Sequence, residues 1–403
     1  MRYDFDREID RQGTDATKWE FIQREDTPLH LERTDRFYGE GRTLPMWVAD
    51  MDFPCPQPVI EALAGRVARG VYGYTSPSEA YFQSVIDWMK RRQGWEPSAE
   101  SICISPGVVP ALCMLIQTFT RPGEGVLIQP PVYYPFAAAI ERNGAQVVRN
   151  PLILEDDRSR MDFADLERKA SHPQVRLAIL CSPHNPVGRA WELDELCHFA
   201  EICRANDVLI ISDEIHGDLI YPGHTFTPFA ALGGALADQA VVCTAPSKTF
   251  NLAGLHISNI IVPDPGLRQQ FQGTLLKNGL TGVNPFSLVA VRAAYEQGED
   301  WLGQVLDYLD GNLITLRQYL AQKMPQITLI EPEGTYLAWL DCRRLGLSRQ
   351  ELHDLMLNRA RVYLDEGHIF GEQGEGFQRM NIACPRPLLA EALDRLRKAV
   401  DIL

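Results

Sequence analysis

The chain has no surplus of positive charge. Its 39 basic residues face 53 acidic ones, a formal net charge of −14. With no basic cluster either, nucleic acid and anionic membranes are excluded as main partners, while small local anions are not. No hydrophobic run is long enough to span a bilayer. The longest, Val108 to Phe119, is interrupted by Gln117. The opening stretch MRYDFDREIDRQGTD is charged and lacks an apolar segment, so no signal peptide is expected. No CxxC pair occurs. The 9 cysteines are an odd number and most lie inside apolar runs. Reduced, buried thiols in a cytoplasmic protein are therefore expected, with no disulfide framework and no metal site. There is no internal repeat or low-complexity tract. No G-x-G-x-x-G follows an early strand, which counts against a nicotinamide-dependent dehydrogenase.

What is present is length and alternation. With 403 residues, 45% of them hydrophobic, the chain can bury a large core and form two domains. Residues 1–45 read as a polar arm with short helical pieces. From about 50 onward, short β-branched runs alternate with helical stretches. The runs are Ile102-Cys103-Ile104, Gly125 to Gln129, Gln146-Val147-Val148, Leu177 to Cys181, Val208 to Ile211, Ala240 to Cys243 and Ile257 to Val262. Helices are predicted at Pro58 to Arg69, Ser78 to Arg92 and Leu193 to Ala205. The alternation predicts an α/β fold with a mostly parallel seven-stranded sheet. After about 285 the pattern changes. A long helical region to about Met324 precedes a strand at Thr335 to Asp341, a helix over 349–360, a strand at Phe377 to Ile382 and a last helix from Pro387. Ser348 with Glu351 suits a capping box, and Leu388, Ala392, Leu396 and Ala399 share one helical face. The expected division is an arm at 1–49 that joins part of a small domain, a large domain at 50–290 and a small α/β domain at 291–403.

In an open α/β sheet, ligands bind beyond the carboxyl ends of the strands. Five candidate strands end in chemistry-bearing residues. Asn185 follows LAILC, Asp213 and His216 follow VLIIS, and Ser247 and Lys248 follow AVVCT. Gly107, Val108 and Val109 follow ICIS and open a helix, and Tyr133 follows GVLIQ. Each has a plain structural reading. Asn185-Pro186 suits a turn, Asp213 a helix cap, His216 a satisfied histidine, Tyr133 packing, and Gly107 a helix start. Lys248 is the hardest to explain this way, since lysine is rarely placed at the mouth of an interior strand. Together the residues fit pyridoxal phosphate (PLP). A lysine amine forms the Schiff base, an acid partners the pyridine nitrogen, a helix start receives the phosphate and a ring stacks on the cofactor.

The chain resembles fold type I PLP enzymes of the aminotransferase-like superfamily, and within them the MalY/PatB-like cystathionine β-lyases and other C–S lyases. The resemblance runs through RQGTDATKWE, LPMWVADMDF, VYGYT, PVYYPF, LCSPHNPVGRAW, ISDEIHGDL, PSKTFNLAGL, TYLAWLD and GFQRMNIACPR. It implies that Lys248 carries the Schiff base and that Asp213 binds the pyridine nitrogen. Asn185 and His216 would hold the phenolic oxygen, and Tyr133 would lie against the ring. Gly107, Val108, Val109 and Ser247 would hold the phosphate, with Tyr74 reaching it from a second subunit of a homodimer. Arg379, with Asn185, would clamp the substrate carboxylate. The implied substrate is a sulfur-containing amino acid, cleaved to a thiol, pyruvate and ammonia.

One position departs from the pattern. Many aminotransferases carry a phosphate-binding arginine eight residues after the lysine, and here that residue is His256. This weakens an aminotransferase reading, although such an enzyme, and a regulatory protein on the same scaffold, remain rivals. Packing is the alternative role for His256, and His184 reads as structural. Asn185-Pro186 is compatible with either peptide isomer.

Overall fold

The computed structural model of the chain describes residues 1–24, 27–234, 236 and 240–403. All seven apolar runs become strands of one sheet. They are β1 (Ile102–Ser105), β2 (Gly125–Ile128), β3 (Gln146–Arg149), β4 (Val175–Cys181), β5 (Leu209–Asp213), β6 (Ala240–Thr244) and β7 (Ser258–Ile261). Their order is β1-β7-β6-β5-β4-β2-β3. Only β7 runs against its neighbours. Alternate residues of β4 pack on opposite faces, as the strand period of two requires. Ala178 and Leu180 join an apolar core that draws on residues from Phe5 to Val400, and Leu177, Ile179 and Cys181 join the core on the other face. Apolar burial on both faces explains why the inner strands β2, β4, β5 and β6 read as continuous hydrophobic runs.

The register places the functional edge. Asp213, last in β5, is level with Cys181 of β4 and Cys243 of β6. The loops carrying Asn185, Asp213 and Lys248 therefore leave the sheet side by side. Helices α1 (Gln57–Ala68), α2 (Glu79–Gln93), α3 (Val108–Phe119) and α4 (Leu193–Ala205) lie where the sequence places them.

The predicted helix from 285 to 324 is two helices, α5 (Pro285–Gln297) and α6 (Glu299–Lys323). They meet at Gly298, where a Cβ would come 2.4 Å from the Ala294 carbonyl oxygen and 2.6 Å from Phe250. The predicted 349–360 helix changes at Leu355–Arg359 to a π-turn. Its start holds the expected capping box, with Ser348 N–H donating to Glu351 at 2.8 Å. The arm contains the short helix Thr17–Glu20, but also an antiparallel ribbon of Phe21–Arg24 with Thr27–Arg33. The alternation of Leu29 and Leu31 with His30 and Glu32 is a strand pattern. A second sheet, ordered β8-β9-β11-β10, consists of β8 (Thr328–Ile330), β9 (Leu337–Asp341), β10 (Asp365–Glu366) and β11 (Phe377–Asn381). The arm is tied to this part by Leu44–Pro45, which pairs with Val362–Tyr363. The last helix, α7 (Arg386–Val400), buries Leu388, Ala392, Leu396 and Ala399. All nine cysteines are free thiols, six of them buried. Among the described residues no helix is long and apolar enough to cross a membrane. No cluster of three His, Cys, Asp or Glu residues among them is placed to hold a metal.

Candidate active site

A cavity of about 380 Å³ opens at the carboxyl edge of the sheet. Its wall includes Gly107, Val108, Val109, Tyr133, Asn185, Asp213, His216, Ser247 and Lys248, brought there by five separate loops. His256 stands exposed on the same wall, so it does not serve as core packing.

Enclosure controls the charges. Burial lowers the Lys248 pKa to about 8, against the opposing attraction of Asp50 and Asp213. Its Nζ donates to the Ala49 carbonyl at 2.7 Å. Burial raises Asp213 to about 7, while the Ile215 N–H, donating at 3.2 Å, and Lys248 pull it down. His216 is held well below its ordinary pKa, by burial first and then by Lys248 and Arg379. Its Nδ1 has no hydrogen-bond partner among the described residues. Tyr133 sits edge-on to Phe136 at 5.7 Å, and burial raises its hydroxyl pKa to about 12.

Gly107 precedes α3 with φ +146°, a conformation that L side chains rarely adopt. Beyond it, the first amides of α3 have no partner within the helix and point out of its start. With the Ser247 hydroxyl on the same wall, this is a seat for an anion.

Arg379 lies on β11, opposite Asp365 of β10, and is buried behind the cavity wall. Its Nη1 donates to Asn185 Oδ1 at 2.9 Å, and its Nη2 to the Trp47 carbonyl at 3.0 Å and to Asp365. Asn185 thus connects the arginine to the cavity. The fork is thus engaged at both Nη atoms, while its Nε is buried without a partner among the described residues. Tyr74 lies outside the cavity of its own chain, with a relative exposure of 111%. His184 is structural. It is buried, its Nε2 lies 2.9 Å from the Pro131 carbonyl oxygen, and its ring meets Trp191 edge-on. The Asn185-Pro186 bond is cis.

Sequence reasoning missed Asp365, Ala49 and a second charged pocket lined by Arg11 and Asp50. Ala49 acts through its backbone oxygen, which side-chain chemistry does not reveal. Asp365 acts through a cross-strand pairing that no local motif encodes.

A mostly parallel sheet with lysine, aspartate and an anion seat at one edge defines the fold type I class of α/β enzymes. The chain belongs to the aminotransferase class I and II family, whose family model matches residues 47–396. It is 43% identical over 397 residues to cystathionine beta-lyase PatB of Bacillus subtilis, covering 98% of this chain and 100% of that one. It is 32% identical to protein MalY of Escherichia coli, covering 99% of each chain. Its fold is also similar to a PLP-bound C–S lyase from Staphylococcus hominis complexed with the inhibitor L-cycloserine. That similarity has a TM-score of 0.91 and 33% identity, covering 99% of this chain and 98% of that one.

Proposed function

We propose that this chain is a PLP-dependent carbon–sulfur lyase that cleaves L-cystathionine or a related cysteine S-conjugate to a thiol, pyruvate and ammonia. The observation that carries the reading is Lys248 and Asp213 in one cavity beside the open start of α3. The residues present fit the cofactor. His216 Nδ1 lacks a partner, Asp213 lacks a hydrogen-bonded cation among the described residues, and the Val108 and Val109 amides open onto the same space.

When bound, PLP supplies an aldehyde for the substrate amine and an electron-withdrawing ring for the electrons left at Cα. Asp213 would pair with the ring nitrogen and favour a proton there. Asn185 and His216 would hold its phenolic oxygen, and Tyr133 would lie against the ring. Val108, Val109 and Ser247, with the turn at Gly107, would hold the phosphate. Arg379 and Asn185 orient the substrate carboxylate. Lys248 is placed to remove the Cα proton, and its burial favours the neutral, basic amine. The Cβ–S bond then breaks with both electrons leaving on sulfur. Hydrolysis of the remaining three-carbon unit gives pyruvate and ammonia.

The same reading includes a cytoplasmic homodimer with shared sites, supported by exposed Val67, Val71, Tyr72 and Tyr74. It assigns cofactor binding mainly to residues 50–290, with 1–49 and 291–403 closing the site from the other side. Borohydride reduction of the holoenzyme tests the central lysine. Reduction should attach the cofactor to Lys248, and Lys248→Ala should abolish that attachment and cost at least ~10²–10⁴ in pyruvate release. Normal turnover with a reducible chromophore in Lys248→Ala would remove the lysine from the mechanism.

A further inference from the structure

A second cavity, of about 540 Å³, lies on the other side of Lys248. Ala49, Lys248 and Ala253 wall both cavities, so the two adjoin at the lysine. The polar lining of the second cavity comes largely from the arm and from the loop before α1. Most of it is already engaged. Asp52 accepts Lys18 Nζ at 2.7 Å and Trp19 Nε1 at 2.8 Å. Asp15 is paired with Arg33. Asn251 bonds the backbone of Met51 and Phe53.

Two groups are held by loose ion pairing alone, without a side-chain hydrogen bond. Among the described residues, the Arg11 guanidinium donates no hydrogen bond and neither Asp50 carboxylate oxygen accepts one. They face each other loosely, with Arg11 Nη2 3.6 Å from Asp50 Oδ2 and Nη1 3.8 Å from Asp52 Oδ1. Asp50 Oδ1 is closed off from solvent without a partner. Partly buried charges without hydrogen bonds are costly, and a ligand that supplies the missing partners recovers that cost. One guanidinium and one carboxylate match one carboxylate and one ammonium.

We propose that Arg11 and Asp50 form the subsite for the leaving half of the substrate, and that this half ends in a zwitterionic α-amino acid. Arg11 takes the distal carboxylate through its two-pronged fork, and Asp50 takes the distal ammonium. The subsite therefore favours thioethers with an amino acid at both ends over S-alkyl cysteines, whose neutral ends offer neither group a hydrogen-bonding partner. This specificity rests on the reading of the first cavity as a C–S lyase site.

The test compares pyruvate release from L-cystathionine and from S-ethyl-L-cysteine by the wild-type holoenzyme, Arg11→Gln and Arg11→Lys. The ratio of the two kcat/KM values should fall about tenfold or more in Arg11→Gln. Arg11→Lys should recover only part of it, because a point charge does not reproduce the fork. An unchanged ratio, including an equal fall for both substrates, overturns the proposal and leaves Arg11 a structural role in the arm. The dissociation constants of the same two compounds, measured by calorimetry in a Lys248→Ala background with and without Arg11→Gln, give a second readout free of turnover. Their ratio should shift in the same direction, and an unchanged ratio counts against the subsite. Absence of pyruvate from both substrates with wild type would instead refute the lyase reading, and the binding ratio would still decide the subsite.

Discussion

Lys248 and Asp213 are displaced by the same enclosure in opposite senses, the amine toward neutrality and the acid toward protonation. For Asp213 this has a stability consequence in the cofactor-free protein. Its folded pKa of about 7 lies above the ordinary carboxylate range, so the folded state binds the proton more tightly than the unfolded one. Stability then falls as pH rises, beginning above the unfolded carboxylate pKa and ending near the folded value. Asp213 alone should account for a loss of about 2 kcal/mol between roughly pH 5 and pH 7, at ~1.4 kcal/mol per unit, read from the urea midpoints of wild type against Asp213→Asn. Asp213→Asn should remove that part of the slope and leave what Glu214 contributes, its own pKa being raised by burial to about 8. An identical slope in the variant would mean that Asp213 is ionised throughout. For Arg379, replacement by lysine should lower kcat/KM for cystathionine by about ten- to a hundredfold, mainly through KM, because Asn185, Trp47 and Asp365 hold a planar fork that lysine lacks. Unchanged kcat/KM would take it out of the site. Lys248, Asp213 and Asn185 were legible because each follows its own apolar run. Asp365 was not, since its partnership depends on the register of β10 against β11.

At the scale of elements, the start of α3 matters most. Gly107 adopts φ +146°, and an added Cβ would sit 3.4 Å from Pro110. Gly107→Ala should therefore cost ~1–3 kcal/mol of stability, readable as a lower thermal midpoint of the cofactor-free protein. It should also weaken PLP binding, because the first amides of α3 would shift. Unchanged PLP affinity in a folded variant would place the phosphate elsewhere. The inner strands were visible from the sequence because burial on both faces leaves a continuous apolar signature, while the edge strand β3, with Gln146 and Arg149 exposed, was marked only by its pair of valines. The break between α5 and α6 was not, because it is caused by the approach of Phe250, distant in sequence, to Gly298. Periodicity alone continues through that glycine without interruption.

At the scale of the whole molecule, the arm, the large sheet and the second sheet each contribute to one region. Ala49 comes from the loop before α1, Lys248 from the end of β6 and Arg379 from β11, and only the folded chain brings them together. The exposed Tyr74 points to a further level of assembly. If sites are shared, Tyr74→Ala and Lys248→Ala should each be impaired alone, while a refolded equal mixture should regain about a quarter of wild-type activity, since half the dimers carry one intact site. No recovery, or a monomer in sedimentation, would refute the shared site.

The central claim is elimination at a carbon–sulfur bond, and product analysis tests it most directly. Purified holoenzyme with L-cystathionine and no added keto acid should release pyruvate, ammonia and homocysteine in equal amounts over many turnovers. A single turnover that stops until a keto acid is supplied, with no free thiol, would contradict it and identify an aminotransferase.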